Sequence, residues 1–201
     1  MARYLGAKHK FCKKYGIPLC GSSNCPVLKS AKKDRRPRST FRKKASDYSG
    51  QLSEKQKAKV IYGVLEKQFK KYFEKAKKST GETGEKLLQL LESRLDNVVY
   101  RLGFAKTRSL ARQLVSHGHI LVNDGKVTIP SYQVKPDDII LLAAHSLKIP
   151  VVEESLKLVK NEQIPDWLKR TGPAGKIIRI PARSEIGEPI TEHLIIEYYS
   201  R

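Results

Sequence analysis

Residues 92–134 read ESRLDNVVYRLGFAKTRSLARQLVSHGHILVNDGKVTIPSYQV, and this stretch decides the fold of its region. Apolar side chains recur at helical spacing over residues 91–102, which predicts one amphipathic helix ended by Gly103. Thr107 is a good N-cap residue, so it predicts the start of a second helix that Gly118 closes. The stretch therefore predicts two helices whose apolar faces share one core.

Strands follow the second helix. Ile120–Val122 alternates as a short strand, and residues 123–125 (Asn-Asp-Gly) supply turn chemistry. Residues 127–129 are predicted to return antiparallel, and Ile139–Leu142 to form a further strand. Outside this stretch, residues 151–159 predict a helix, 165–168 a packed loop and 177–180 a strand.

Basic side chains lie on the polar faces and at the start of the second helix. A helix start combines free backbone N–H groups with a favourable dipole, and added cations suit it to a phosphate. We therefore expect RNA contacts from Arg94, Arg101, Lys106, Arg108, Arg112 and His117.

A longer helical segment precedes this stretch. Ser53 and Gln56 have the spacing of a capping box, and Gly63 is expected to divide the segment into two helices. Its aromatic residues follow helical spacing, which favours a packed core face over a platform for nucleobases.

The charge of the chain points to a polyanionic partner. Forty basic residues stand against twenty acidic ones, which leaves a net charge of +20 on 201 residues. A membrane surface is the weaker interpretation, because the chain has neither a spanning apolar run nor the apolar core of a signal peptide. We therefore expect a cytoplasmic location.

The positive excess is concentrated near the start of the chain. Residues 1–50 carry 14 basic and 2 acidic side chains, and within residues 29–44 Asp34 is the only acidic one. Such a segment repels itself, and Pro37 interrupts any helix, so it is expected to become ordered on nucleic acid. Its expected RNA contacts include Arg35, Arg36 and Arg38.

The three cysteines lie close together in the same region, with a histidine shortly before them. His9, Cys12, Cys20 and Cys25 form a His-x2-Cys-x7-Cys-x4-Cys pattern. Four soft or borderline ligands satisfy a tetrahedral structural zinc ion. The alternative is three free thiols beside an ordinary surface histidine; a disulfide is disfavoured by the odd count and the expected compartment.

Several of these segments together resemble a known family. The sequences LESRLDNVVYR (91–101), ARQLVSHGHI (111–120), MARYLG (1–6), SDY (46–48) and EYYSR (197–201) are similar to bacterial ribosomal protein S-four and its shared RNA-binding domain. The short domain also occurs in other RNA-binding proteins, but the resemblance here covers nearly the full length.

The resemblance implies an α+β fold with a mostly helical first domain and an inserted domain of helices packed on a small antiparallel sheet. The expected organisation is a basic arm with a zinc knuckle over residues 1–50, a helical domain over 51–91 completed by the tail 188–201, and the RNA-binding domain over 92–187. In some members four cysteines hold zinc, and His9 stands where the first of them would be.

The resemblance also implies a structural constituent of the small ribosomal subunit. Such a protein binds small-subunit rRNA at a multi-helix junction of the 5′ domain and nucleates assembly there. It contacts mRNA where mRNA enters the subunit, beside ribosomal proteins three and five. We expect Lys55, Lys57 and Lys59 to join the junction contacts, and Arg42, Lys43 and Lys44 to contact mRNA.

Two other functional classes share features with this sequence. A free RNA chaperone or translational repressor would use the same basic surface. An RNA-modifying enzyme is suggested only by Arg94-Leu95-Asp96, which echoes a catalytic triplet of some pseudouridine synthases. The triplet lies inside a predicted amphipathic helix, and no catalytic domain surrounds it, so we expect no enzymatic activity.

Overall fold

The computed structural model describes residue 4 and residues 6–19, 25–31, 46–158 and 164–201. These residues form the predicted α+β fold and divide into two compact units. The first unit comprises Met1–Lys71 with Pro189–Arg201, and the second comprises Tyr72–Glu188. The division falls within helix α4 (Glu66–Lys78). The predicted boundary between residues 91 and 92 stays a prediction.

The first unit is helical over its described residues. Its elements are α1 (His9–Tyr15), α2 (Pro26–Ala31), α3 (Asp47–Tyr62), the first part of α4 and α9 (Glu192–Ser200). Among the described residues, no helix combines the length and apolarity needed to cross a membrane.

The start of α3 lies earlier than its sequence suggested. Ser46 caps the helix, because its Oγ accepts a hydrogen bond from the backbone N of Ser49 at 3.3 Å. The predicted capping box of Ser53 with Gln56 is wrong, since both residues lie inside α3. The predicted division at Gly63 is confirmed, because Gly63 ends α3 with a φ of 63° that glycine adopts without strain.

The tail of the chain packs on α3. Gln51 Nε2 donates a hydrogen bond to Glu197 at 2.9 Å, and the backbone N of Thr191 donates to Glu54 at 3.3 Å. Ile195 of α9 is fully buried. The apolar end of the sequence is thus the helix α9, and it completes the first unit from the far end of the chain.

The second unit begins with the remainder of α4, followed by α5 (Thr83–Glu92), α6 (Leu95–Arg101), α7 (Arg108–Ser116) and, after three strands, α8 (Pro150–Leu158). The single helix predicted over residues 91–102 is wrong, because the chain breaks between α5 and α6. Arg94 there forms a β-bridge with Gln133, and the backbone N of Val134 donates to Ser93 O at 2.9 Å. A partner 39 residues away in the chain thus outweighs continuous local helical spacing.

The five strands form one antiparallel sheet in the order β2-β1-β3-β5-β4. They are β1 (Ile120–Val122), β2 (Gly125–Lys126), β3 (Ile139–Leu142), β4 (Leu168–Thr171) and β5 (Ala174–Ile177). The predicted β1 and β3 are confirmed. Asn123 and Asp124 have φ values of 49° and 63°, as a tight hairpin turn between β1 and β2 requires.

Two predicted strands are wrong. The strand returning from the hairpin is Gly125–Lys126 and ends before residues 127–129, so it pairs with only two positions of β1. The last strand is Ala174–Ile177 instead of residues 177–180, because Gly172, with a φ of 59°, turns the chain back at that point. The expected loop at residues 165–168 is present up to Trp167, and Leu168 already begins β4.

The core of the second unit is one continuous apolar cluster. Leu95, Val98 and Val99 of α6 contribute to it, together with Leu102 directly after that helix and buried side chains of α7, α8 and the sheet. Trp167 is 1% exposed and is the largest buried side chain. Each such side chain stabilises the fold by about 1.5–3 kcal/mol through burial, so this core fixes α6 and α7 on the sheet.

Candidate nucleic-acid interface

The candidate interface is centred on the start of α7. Thr107 caps this helix by accepting a hydrogen bond at its Oγ1 from the backbone N of Leu110 at 3.2 Å, as predicted. Lys106 precedes the cap, and Arg108 follows it. Lys106 is one-third exposed and forms an ion pair with Glu154 of α8. The helix start therefore presents a cation on each side of its N-cap, next to the positive end of the helix dipole.

Two arginines of this surface converge on one carboxylate oxygen. The Oε1 atom of Glu188 accepts a hydrogen bond from Nη2 of Arg101 at 3.0 Å and from Nη2 of Arg108 at 2.6 Å. The side chains of both arginines are 17% exposed, and that of Glu188 is 14% exposed. The cluster is therefore near the surface but only partly in contact with water.

Each arginine has a further partner. Arg101 donates from Nε and Nη2 to Glu92 at 3.0 and 2.7 Å, and Glu92 is itself buried. Arg108 donates from Nε to Asn97 Oδ1 at 2.7 Å. We name Arg101, Arg108, Glu92, Asn97 and Glu188 the arginine cluster. Charge-assisted hydrogen bonds of this kind fix guanidinium groups in position.

Arg94 does not lie on this surface, and the expectation that it contacts RNA is corrected. It is 1% exposed and donates to Asp96 from Nε at 3.0 Å and from Nη2 at 2.6 Å, while its Nη1 donates to Tyr72 at 2.8 Å. Burial by itself lowers the pKa of Arg94, but Asp96 and Tyr72 outweigh it and raise that pKa. Arg94 therefore has a structural role, as a buried arginine whose charge is balanced by Asp96.

Asp96 is equally committed to the fold. It is buried, accepts both hydrogen bonds from Arg94, and has Arg112 Nη1 at 3.8 Å. A carboxylate enclosed by two guanidinium groups has no access to a nucleobase, so the geometry gives Asp96 a structural role.

His117 and two further histidines lie at the other end of α7. His117 is the exposed C-cap residue of this helix. His119 Nδ1 lies 3.1 Å from His145 Nε2 and 2.9 Å from Ser146 Oγ. Burial lowers the pKa of His119, and the neighbouring histidines and Lys126 lower it further. His119 is therefore a neutral hydrogen-bonding group near pH 7, whereas His117 and His145 are exposed to solvent.

The lysines predicted in the first unit differ in their surroundings. The side chain of Lys55 is 4% exposed, pairs with Glu66 at 2.8 Å and lies 4.1 Å from the ring centroid of Tyr198. Lys57 pairs with Glu54 at 2.5 Å, and Lys59 pairs with Glu66 at 2.6 Å. The expectation that Lys55 contacts RNA is corrected, because its ammonium group packs inside the first unit.

Three of the four predicted metal ligands come together. The donor atoms of His9, Cys12 and Cys25 lie within 4.8 Å of one another, and both cysteines are fully buried. Ligand atoms of a tetrahedral zinc site are about 3.3–3.8 Å apart, so a modest approach of these side chains fits the ion. Cys20, the fourth predicted ligand, lies outside the described residues.

The predicted arm contacts also fall outside the described part of the chain. These are Arg35, Arg36 and Arg38 for RNA and Arg42, Lys43 and Lys44 for mRNA.

Glu92, Asn97 and Glu188 were not among the predicted site residues. Glu188 lies 80 residues after Arg108 in the sequence, so no local pattern connects the two. The sequence offered one indication of these partners: Glu92 is an acidic residue that directly follows Leu90 and Leu91 in a mainly apolar segment.

Two family models match residues 3–140 of this chain. Residues 93–140 match the model described as S4 domain, and residues 3–92 match the one described as ribosomal protein S4/S9 N-terminal domain. The two matches together include every member of the arginine cluster except Glu188.

Similar proteins extend the match over the whole chain. Small ribosomal subunit protein uS4 of Natranaerobius thermophilus is 46% identical over 209 residues, that of Dictyoglomus turgidum 48% over 214, and that of Akkermansia muciniphila 46% over 203. Each comparison covers 100% of both chains. The chain belongs to the small ribosomal subunit protein uS4 family.

This membership confirms the functional class. The chain is a structural, rRNA-binding constituent of the small ribosomal subunit and not an enzyme. Its predicted location, in the cytoplasmic ribosome, follows from the same membership.

Proposed function

We propose that the face of the second unit around the start of α7 docks on a multi-helix junction of the rRNA 5′ domain and nucleates assembly there. Arg101, Lys106, Arg108, Arg112 and His117 make its contacts. The observation that carries this proposal is the convergence of Arg101 and Arg108 beside the capped start of α7. Two fixed guanidinium groups at a helix start match the phosphates of a folded RNA, which is read mainly by shape and backbone.

A binding titration tests this surface. Replacing Arg108 and Arg112 together by Gln is expected to weaken binding to a 5′-domain rRNA fragment and to flatten its dependence on salt, because fewer counterions are released. The matched control replaces Lys157 and Lys176, which are half-exposed or more and lie on α8 and β5, by Gln. Equal affinities and salt slopes in the two double variants contradict the proposal.

The first unit adds a second set of contacts. We assign Lys57 and Lys59 to the RNA backbone and leave out the buried Lys55. The charge of the N-terminal segment supports further contacts from Arg35, Arg36 and Arg38. Several contacts on one chain raise the effective concentration of the others, so the two units and the arm reinforce one another. In this proposal each of the three parts of the chain, the arm, the helical domain and the RNA-binding domain, contributes its own RNA contacts.

The end of the arm supports a role at the place where mRNA enters the subunit. Arg42, Lys43 and Lys44 form a run of three cations shortly before Ser46, and such a run suits a single-stranded nucleic acid. Neighbouring ribosomal proteins three and five complete this site in the proposal. Replacing the three cations by Gln is expected to weaken crosslinking of mRNA to this chain in assembled subunits. Unchanged crosslinking contradicts the assignment.

A structural zinc ion is proposed at His9, Cys12, Cys20 and Cys25. The supporting observation is the approach of the first, second and fourth of these side chains, two of which are buried thiols. A bound zinc ion would hold the N-terminal helices together, with no open position for a catalytic water. Zinc content of the purified chain is expected near one per molecule, and to fall in His9→Ala and in Cys20→Ser. Absence of zinc from the parent protein contradicts the site.

A free repressor or RNA chaperone would share this basic surface. Sedimentation with small subunits in high salt separates the two roles, because an integrated constituent remains bound whereas a loosely attached factor dissociates.

A further inference from the structure

The carboxylate of Glu188 occupies the position between Arg101 and Arg108 that an external anion would fill. One oxygen accepts hydrogen bonds from both guanidinium groups, at 3.0 and 2.6 Å. Phosphate oxygens bind paired arginines in the same way, because a guanidinium fork matches an oxyanion. The position of this carboxylate therefore marks an anion site formed by the two arginines.

Both arginines are held in place without Glu188. Arg101 has its two hydrogen bonds to the buried Glu92, and Arg108 has its hydrogen bond to Asn97. The guanidinium of Arg108 also lies 4.5 Å from the ring centroid of Tyr100, within the range of a cation–π contact. Removal of Glu188 would therefore leave the arginines close to their present positions.

The segment that carries Glu188 is suited to movement. Glu188 lies outside the helices and strands, directly after Gly187 and before Pro189. A Cβ atom added at Gly187 would meet nothing within 4 Å, so there is open space on that side of the backbone. Displacing the Glu188 side chain would thus break no helix or strand.

The charges of the cluster give Glu188 its effect. Two arginines and two glutamates sum to zero, so the cluster in its present state attracts an anion weakly. When Glu188 is displaced, the remaining groups carry one positive charge, which suits one RNA phosphodiester.

We propose that Arg101 and Arg108 form a binding site for one RNA phosphate, and that Glu188 occupies this site in the free protein and must be displaced on binding. This inference rests on the proposed docking of rRNA on this surface and identifies an intramolecular competitor within it. Because Glu188 occupies the site, weakly binding nonspecific anions are poor ligands: they must compete with a carboxylate of the same chain.

The test compares two variants with the same change of charge. E188Q removes the competitor, and E153Q removes an exposed carboxylate that pairs with Lys157 on α8. Binding of the full chain to a 5′-domain rRNA fragment is measured over a range of salt concentrations. E188Q is expected to bind about three- to tenfold more tightly than the parent, with a similar salt slope because the same phosphate is bound in both, while E153Q stays close to the parent.

A second background isolates the arginine. In a chain with Arg108→Gln, the additional E188Q change is expected to leave affinity unchanged, because the phosphate site is already incomplete. Affinity of E188Q equal to that of E153Q, or below that of the parent, overturns the inference while leaving the docking surface intact. An affinity that is insensitive to Arg108 and Arg112 overturns the proposed docking surface, and the competitor with it.

Discussion

Two arginine–carboxylate groups of the second unit show opposite uses of the same chemistry. Arg94 and Asp96 form an interior pair, because Arg94 is 1% exposed and its partners all lie within the fold. Arg101 and Arg108 lie at the surface and share Glu188. The two groups differ in whether another anion can reach the arginine. No external anion can take the place of the buried Asp96, whereas in our proposal an RNA phosphate takes the place of Glu188 near the surface. Burial, more than residue type, therefore separates the structural arginine Arg94 from the two arginines that we propose to bind RNA.

The largest effect is expected at the interior pair. Asp96→Ala removes two of the three hydrogen bonds that Arg94 donates and leaves a buried guanidinium without its counter-charge. The free energy of unfolding, measured with urea, is expected to fall by about 3–5 kcal/mol. Glu153→Ala, which removes an exposed carboxylate, is the control. A loss below about 1 kcal/mol for Asp96→Ala would break the comparison.

An intermediate effect is expected at Glu92, the buried carboxylate of the arginine cluster. Its carboxylate is buried and accepts hydrogen bonds from Asn97 at 2.7 Å and from Arg101. Arg101 still has Glu188 and water after Glu92→Ala, so the expected loss is about 2–3 kcal/mol. Urea unfolding should rank this variant between Asp96→Ala and Glu188→Ala. A loss larger than that of Asp96→Ala contradicts the role assigned to burial.

A small effect on stability is expected at Glu188. Its two partners keep Glu92 and Asn97, so Glu188→Ala should lower the free energy of unfolding by no more than about 1 kcal/mol. The same urea titration checks this value. A loss as large as that of Glu92→Ala would show that Glu188 is a structural residue and not an exchangeable anion.

The smallest effect extends the comparison to the first unit. Burial by itself raises the pKa of Glu66, but hydrogen bonds from Lys55, Lys59 and Tyr199 outweigh it and lower this pKa to about 2. A carboxylate whose pKa is depressed in the folded state contributes stability above its unfolded pKa of about 4.3, and this contribution is lost as the pH falls toward 2.

Glu66→Gln is therefore expected to make stability less dependent on pH between about pH 4.5 and 2. Thermal unfolding over this range measures the dependence, with Glu74→Gln on the exposed side of the same helix as control. An acid dependence identical to that of the parent would exclude Glu66 as an acid-sensitive group. Because its side chain is 46% exposed, the effect should stay well below that at Asp96.

Local chemistry made much of the fold predictable. Gly103 and Gly118 have positive φ at the predicted helix ends, Thr107 caps α7, and Asn123 turns the hairpin. Each of these features depends on a residue and its immediate neighbours, so the sequence pattern contains the information.

Features that depend on distant residues were not predictable. The break before α6 is fixed by the bridge from Arg94 to Gln133, and it turns an apparently outward arginine into a buried one. In the candidate site, Arg101 and Arg108 could be named from their helices. Their common partner Glu188 could not, because it comes from a separate segment near the end of the second unit.

The packing of α9 on α3 also orders events during synthesis of the chain. The second unit is continuous in sequence, so all of its residues are available once Glu188 has emerged from the translating ribosome. The first unit needs the residues of α9 and must wait for them. At roughly 5 to 20 residues per second, making the stretch between α3 and α9 takes on the order of ten seconds. The packing of α3 in the first unit is thus completed only after all residues of the second unit are available.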